Sequence, residues 1–168
     1  MSRTAPEKCE DTRVRSVEPS HVADLIRIGE ETNLSPWSAQ SYLEEMKNPN
    51  AVLLRSINEN NQTIGFVVGR FVAGGETDVR TDAEIYNIAV LKDEQRRGCG
   101  QTLFEAFRSR CEEREVSYIW LEVRESNTPA IRFYEKNGFE RVQSRRHFYE
   151  NPREHAILMR LLLKGRKS

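Results

Sequence analysis

The sequence predicts an α/β (α+β) fold: a mixed central sheet of about six to seven strands, flanked on both faces by about four helices. Two observations carry this. Stretches rich in β-branched and aromatic residues interleave with stretches of helical periodicity in the order β-α-α-β-β-β-α-β-α-β-β. Turn chemistry separates them at Asn58–Gln62, Gly74-Gly75 and Asn137-Gly138. The regular βαβαβ alternation of a doubly wound nucleotide fold is not the order here.

Taken in turn, Arg13–Val17 reads as a short strand. Pro19–Glu31 is helical, with Val22, Leu25, Ile26 and Gly29 on one face. Ser38 is placed to cap a second helix through Met46, turning Tyr42 and Leu43 inward. Ala51–Ile57 and Thr63–Val72 form a hairpin across Asn58–Gln62, and Glu84–Val90 is the next strand. Leu103, Phe104, Phe107 and Cys111 make the buried stripe of a helix reaching about Arg114. Ser117–Val123 is a strand. Thr128-Pro129 supplies an N-cap with proline at the first helical position, and Asn137-Gly138 a stop. Phe139–His147 and Ala156–Leu163 close the chain as strands. Residues 1–10 read as a flexible polar leader, 11–163 as one domain and 164–168 as a short basic tail.

Bulk properties narrow the function. In 168 residues, 26 basic side chains balance 26 acidic ones, so no global field argues for a nucleic-acid or membrane partner. No apolar run approaches spanning length, and the start lacks a signal-peptide core, which points to the cytoplasm. Cys9, Cys99 and Cys111 form an odd set without C-x-x-C spacing, and His21, His147 and His155 are scattered, so no metal site is expected.

The chemical signal is Gln95-Arg-Arg-Gly-Cys-Gly100, between a strand and a helix. Glycines at 98 and 100 let backbone N–H groups close on an anion, and the helix that follows offers its positive end. That is a phosphate cradle. It is no Walker loop, because G-x-x-x-x-G-K-[ST] does not occur, and Leu103 spoils a Rossmann fingerprint. Taken alone, the glycines fit a plain strand-to-helix turn equally well.

Gln95-x-x-Gly98-x-Gly100 after Asn87-Ile-Ala-Val90 resembles the acetyl-CoA signature of the GNAT family of N-acetyltransferases. Leu121–Asn127 and Ala130–Phe139 resemble that family's second half, so the likeness spans residues 12–163. Within the family the sequence is most similar to the RimI type, which acetylates the N-terminal alanine of ribosomal proteins. Pro36-Trp37-Ser38, Trp120–Arg124, Arg145–Tyr149 and Arg153–Met159 carry that narrower likeness. Lys92 and Cys99 depart from the pattern at positions where the backbone, not the side chain, binds.

The resemblance implies acetyl-CoA as donor and a protein N-terminal peptide, from a small-subunit ribosomal protein, as acceptor. It also leaves room for an unidentified protein partner. Pantetheine would lie along Ile88, Ala89 and Val90 like an added strand. The pyrophosphate would sit in the loop of Arg96, Arg97, Gly98, Cys99, Gly100 and Gln101, with Asn127 as a further cofactor contact. Read by themselves, Arg96 and Arg97 are equally ordinary surface charges, and Asn127 a helix cap. Glu122 would be the general base and Tyr134 the general acid; read by themselves, Glu122 also fits a glutamate salt-bridged on a sheet face, and the spacing of Tyr134 favours a core aromatic of its helix.

The energetics suit that chemistry. An N-terminal amine titrates near ~8, so deprotonating it at pH 7 costs about 1.4 kcal/mol, against roughly 4.6 kcal/mol for a lysine. A carboxylate is base enough for the former. Trp120, Glu122 and Arg124 share one strand face, with Ile119, Leu121 and Val123 on the other. A covalent acyl-cysteine is disfavoured, since no histidine is placed by sequence to activate Cys99 or Cys111. Asp78, Asp82 and Glu84, with Glu76 near, make an acidic approach that would attract a basic peptide, though they fit an ordinary solvated loop equally well; the resemblance implies Trp37 and Tyr149 as walls of the peptide slot. Two other readings remain: a small-molecule amine as acceptor, or a CoA-binding interaction module.

Overall fold

The computed structural model describes residues 13–74 and 80–163. The leader, the basic tail, Cys9, Gly75, Glu76 and Asp78 lie outside the described residues. The elements are β1 (Arg13–Ser16), α1 (Val22–Glu31), α2 (Ala39–Met46), β2 (Ala51–Ile57), β3 (Thr63–Ala73), β4 (Thr81–Val90), α3 (Cys99–Glu113), β5 (Tyr118–Arg124), α4 (Thr128–Lys136), β6 (Glu140–Glu150) and β7 (Arg153–Leu162). The strands form one seven-stranded sheet in the order β1-β2-β3-β4-β5-β7-β6. It is mixed: β4 and β5 run parallel, while β1/β2, β5/β7 and β6/β7 are antiparallel. The expected fold class and element order both hold.

The residues group into two compact units. The first runs to Gly69 and adds Asn87–Arg110. Its core is apolar and tightly closed: Leu25, Ile28, Phe66, Leu103, Phe104 and Phe107 have no exposed surface. Ser38 caps α2 through its Oγ, which accepts from the Ser41 N–H at 3.0 Å, and the ring of Tyr42 stands edge-on to Phe66. The β2–β3 turn is built by Asn58, whose Oδ1 accepts from the N–H groups of Asn60 and Gln62 at 3.0 Å each.

Gly65 in β3 is a close-approach glycine. A Cβ there would stand 2.8 Å from the Ala89 carbonyl oxygen, 2.9 Å from Ser56 Oγ and 3.1 Å from Leu103 Cδ1. Only a residue without a side chain lets β4 come this near, so Gly65 sets the path of Ile88–Val90.

The second unit holds Arg70–Tyr86 and the chain from Cys111 onward. β5 pairs with β7 over its whole length, from Tyr118–Leu162 to Arg124–Ala156. Its alternation is as expected, with Ile119, Leu121 and Val123 buried and Trp120, Glu122 and Arg124 half-buried. β6 pairs with β7 through two register irregularities, and nearly all of its side chains are exposed.

Four local expectations need correction. A short 3-10 turn (Pro19–His21) precedes α1, so the buried stripe is Val22, Leu25 and Ile28, with Ile26 and Gly29 only half-buried. In α2 Glu45 is buried beside Tyr42, while Leu43 is half-buried. α4 is capped by Asn127, not Thr128, which moves Pro129 into the second helical position. The last two strands run Glu140–Glu150 and Arg153–Leu162, longer than their apolar patterning suggests, because backbone pairing rather than burial holds β6.

We expect Gly65→Ala to destabilise the protein by about 1–3 kcal/mol, since the added methyl meets backbone and core atoms that cannot move cheaply. Urea unfolding with an unchanged m-value and a lowered midpoint is the expected record.

Candidate active site

The cradle lies in the first unit. Val90 ends β4, and its carbonyl accepts from Gln95 Nε2 at 2.8 Å, which folds the loop back on the strand. Arg96 and Gly98 both take left-handed backbone, at φ 64° and 87°. Such a conformation suits glycine and strains an arginine, and two left-handed turns in three residues curl successive amides toward one side. α3 begins at Cys99, whose side chain is buried, and Thr102 makes the first helical bond, to the Gly98 carbonyl at 2.9 Å. The Gly100 amide, in the first turn, has no carbonyl behind it to bond within the helix.

Nothing lies within 4 Å of where a Gly98 Cβ would be. Arg96 and Arg97 are exposed, the latter 3.5 Å from Glu94. Left-handed backbone at Arg96 and Gly98, two exposed guanidinium groups and a helix start fit a pyrophosphate-bearing donor. Ile88 is half-buried, Ala89 and Val90 are buried, and Gly100 and Gln101 form the first turn of α3.

The second unit carries an open cavity of about 500 Å³ whose walls include Glu84, Tyr86, Trp120, Glu122, Arg145 and Leu158. The β4–β5 ladder sets Glu84 opposite Trp120, and the β5–β7 ladder sets Glu122 opposite Leu158. Glu122 Oε1 lies 2.7 Å from Arg145 Nη1, with a quarter of the glutamate side chain exposed. Burial pushes the Glu122 carboxyl above its usual value; Arg145 pulls it down, and the neighbouring Glu84 pushes it up again.

Tyr134 sits on the buried face of α4, its ring packed edge-on against Phe133 and Phe139. Burial, and then the Tyr149 phenol, hold its own phenol well above the ordinary range. Tyr149 in turn is raised by burial and by Glu122, so it stands electrostatically between Glu122 and Tyr134. Arg124 stacks 4.1 Å over the Tyr149 ring. That guanidinium is fixed by the Pro152 and Asn151 carbonyls at 3.0 and 3.1 Å, and by Glu154 at 3.4 Å. Sequence reasoning took Tyr149 only as a slot wall and did not find the Arg124 brace beneath it.

Asn127 has its Oδ1 engaged by the Ala130 N–H at 3.3 Å, which leaves its amide nitrogen for another partner. Trp37 belongs to the first unit, packed at 5.2 Å on Tyr42. Asp82 needs the larger revision. It is 3% exposed and accepts from the Tyr118 N–H at 3.3 Å and Trp120 Nε1 at 3.0 Å, with Arg80 at 3.6 Å. It lines the cavity as well, but its oxygens are already engaged, so it also acts as a tie between β4 and β5. Glu84 remains on the cavity wall, and Asp78 and Glu76 lie outside the described residues.

Cys99 and Cys111 are buried, and burial pushes the Cys111 thiol up to about 12. Neither is a usable nucleophile. Among the described residues no group of three metal-binding side chains occurs, and no helix is long and apolar enough to cross a membrane.

A mixed sheet whose central strand leads through a glycine- and arginine-bearing loop into a helix is the framework of an acetyl-CoA-dependent N-acetyltransferase. The chain belongs to the Acetyltransferase (GNAT) family, whose model matches residues 22–139. Acetyl-CoA is the acetyl donor of that class.

The ribosomal protein bS18-alanine N-acetyltransferase of Escherichia coli is 31% identical over 150 residues, covering 88% of this chain and 95% of that protein. The Haemophilus influenzae enzyme of the same name is 34% identical over 149 residues, covering 87% and 95%. The crystal structure of the Escherichia coli ribosomal-protein-S18-alanine N-acetyltransferase superposes with a TM-score of 0.78 at 28% identity, over 94% of this chain and 98% of that one. Ard1 from Thermoplasma volcanium superposes at 0.80 with 25% identity, over 92% and 99%.

Replacing Asp82 by Ala leaves the Trp120 indole N–H and the Tyr118 amide without their acceptor. The expected loss is about 1–3 kcal/mol of stability, read as a lowered unfolding midpoint together with altered Trp fluorescence.

Proposed function

We propose that the chain transfers acetyl from acetyl-CoA to the α-amine of a protein, and that its acceptor is the N-terminal alanine of a small-subunit ribosomal protein. What carries the reading is likeness, over nearly the whole of both chains, to enzymes named for that acceptor. The cavity supports it with a carboxylate of raised pKa at the centre of an acidic wall.

In this reading the cradle of Arg96, Arg97, Gly98, Cys99, Gly100 and Gln101 takes the pyrophosphate. The pantetheine arm pairs along β4. Because the Val90 carbonyl is engaged by Gln95, that pairing falls on Ile88 and the Val90 N–H. The Asn127 amide nitrogen adds a donor. The bound donor supplies an activated acetyl thioester.

Glu122 takes the proton that the amine nitrogen loses as it becomes an amide. Tyr134 gives one to the sulfur, so charge balances across the step. Burial makes the Glu122 carboxylate a stronger base, and it keeps the Tyr134 phenol protonated while making it a weaker acid. An α-amine asks little of the base, which is why one carboxylate is adequate.

The test is acetylation of a basic Ala-starting peptide, of the same peptide with a blocked N-terminus, and of a polyamine, each followed by mass spectrometry. Modification of the free α-amine alone is the expected result; equal labelling of the polyamine refutes the protein-acceptor reading. Tyr134→Phe and Glu122→Gln should bind acetyl-CoA normally while kcat falls by about 10²–10⁴. Undiminished turnover in either variant removes that residue from the mechanism.

A further inference from the structure

Arg145 is the cation in contact with the proposed base, and it reaches Glu122 from two strands away. Glu122 lies opposite Leu158 of β7, and Ala156, two residues along the same face of β7, lies opposite Arg145 of β6. The pair therefore spans about 10 Å of sheet over the intervening strand. Only long side chains close such a gap, and here they close it to 2.7 Å on Oε1. β6 is otherwise exposed and bulged between Arg145 and Tyr149, and the one contact of the guanidinium within its own strand is the exposed Phe148 ring at 5.9 Å, so the ion pair with Glu122 is its closer engagement.

We propose that Arg145 is a positioning residue for the reaction: it holds Oε1 of Glu122 so that Oε2 is presented to the acceptor amine. The proposal rests on Glu122 being the base. A carboxylate gripped on one oxygen has one rotamer and one free oxygen, which is the geometry that proton transfer along a single line requires.

The groups around Glu122 sort by what they do. From β4, Glu84 opposes Arg145, and Asp82 is tied to Trp120, Tyr118 and Arg80. From β5, Arg124 is braced by Glu154 of β7. From β7, Arg160 is bonded to Glu140 at 2.7 Å. From β6, Tyr149 feels Glu122, and from α4 Tyr134 feels Tyr149. Arg145 and Glu84 are the two charges that act on Glu122 itself, with opposite sign.

The opposition gives a test that a purely structural role does not pass. With one peptide and saturating acetyl-CoA, kcat/KM for the peptide loses activity toward acid in two breaks. The upper break belongs to the peptide's α-amine and is common to every variant. The lower break belongs to the enzyme's base. Arg145→Gln and Arg145→Met should move the lower break to higher pH and lower kcat more than they raise KM. Arg145→Lys, which keeps the charge, should restore the break but only part of kcat. Glu84→Gln should move the break the other way, and Arg145→Gln with Glu84→Gln should bring it back toward wild type.

An unmoved break in folded Arg145→Gln and Arg145→Met overturns the proposal, as does an equal loss at every pH. Failure of the underlying reading looks different: Glu122→Gln then keeps turnover and the lower break. Should Arg145→Gln not fold, the Arg145→Met and Arg145→Lys profiles decide by the same criterion.

Discussion

The second unit is registered by one buried carboxylate. Asp82 near the start of β4 accepts from the Tyr118 backbone and the Trp120 indole on β5. Parallel strands have evenly spaced, slanted bonds that do little by themselves to choose among registers. A charged acceptor engaging one backbone and one side-chain donor chooses among them, and hydrogen bonds to charge are worth about 1.5–3 kcal/mol each. From that choice follows the pairing of Glu84 with Trp120, and so the place of Glu84 on the wall that Glu122 shares. A carboxylate bonded within the sheet thus sets where its two acidic neighbours on the wall stand.

Around Glu122 the design is a balance of charges, not a single strong perturbation. Burial and Glu84 favour the protonated carboxyl, while Arg145 favours the carboxylate. Asp82, Glu84 and Glu122 against the Arg145 guanidinium give the wall three acids to one base, a balance that favours a cationic visitor. Tyr149 stands in the same field, held by the Arg124 brace, and passes it on to Tyr134. Groups assigned opposite roles in proton transfer are therefore coupled through a third side chain.

The sequence carried the element order, because periodicity and turn residues are local. Ser38, the Asn58–Gln62 turn and Gly138 at φ 93° each act within a few residues of themselves. Errors came where a neighbour intervened. The 3-10 turn at Pro19 reset the phase of α1 and put Ile28, not Ile26, in the core. Asn127 took the cap from Thr128 one residue on. β6 has no apolar rhythm to read, since an edge strand is held by its backbone ladder. Asp82 looked like surface charge because its donors lie 36 and 38 residues away. A salt-bridged Glu122 was readable from its place on a sheet face, but its partner was not, since only the register of β5, β7 and β6 brings Arg145 to it.

The division into two units has an odd anatomy. The chain passes from one to the other inside β3 after Gly69, inside β4 after Tyr86 and inside α3 after Arg110, never in a loop. There is no linker at which genetic exchange could graft one unit onto a foreign partner. A recombination breakpoint at any of these junctions splits a hydrogen-bonded element and leaves raw backbone at the cut. A cut at any of the three positions therefore breaks the bonds of an element, where a cut in a linker would break none.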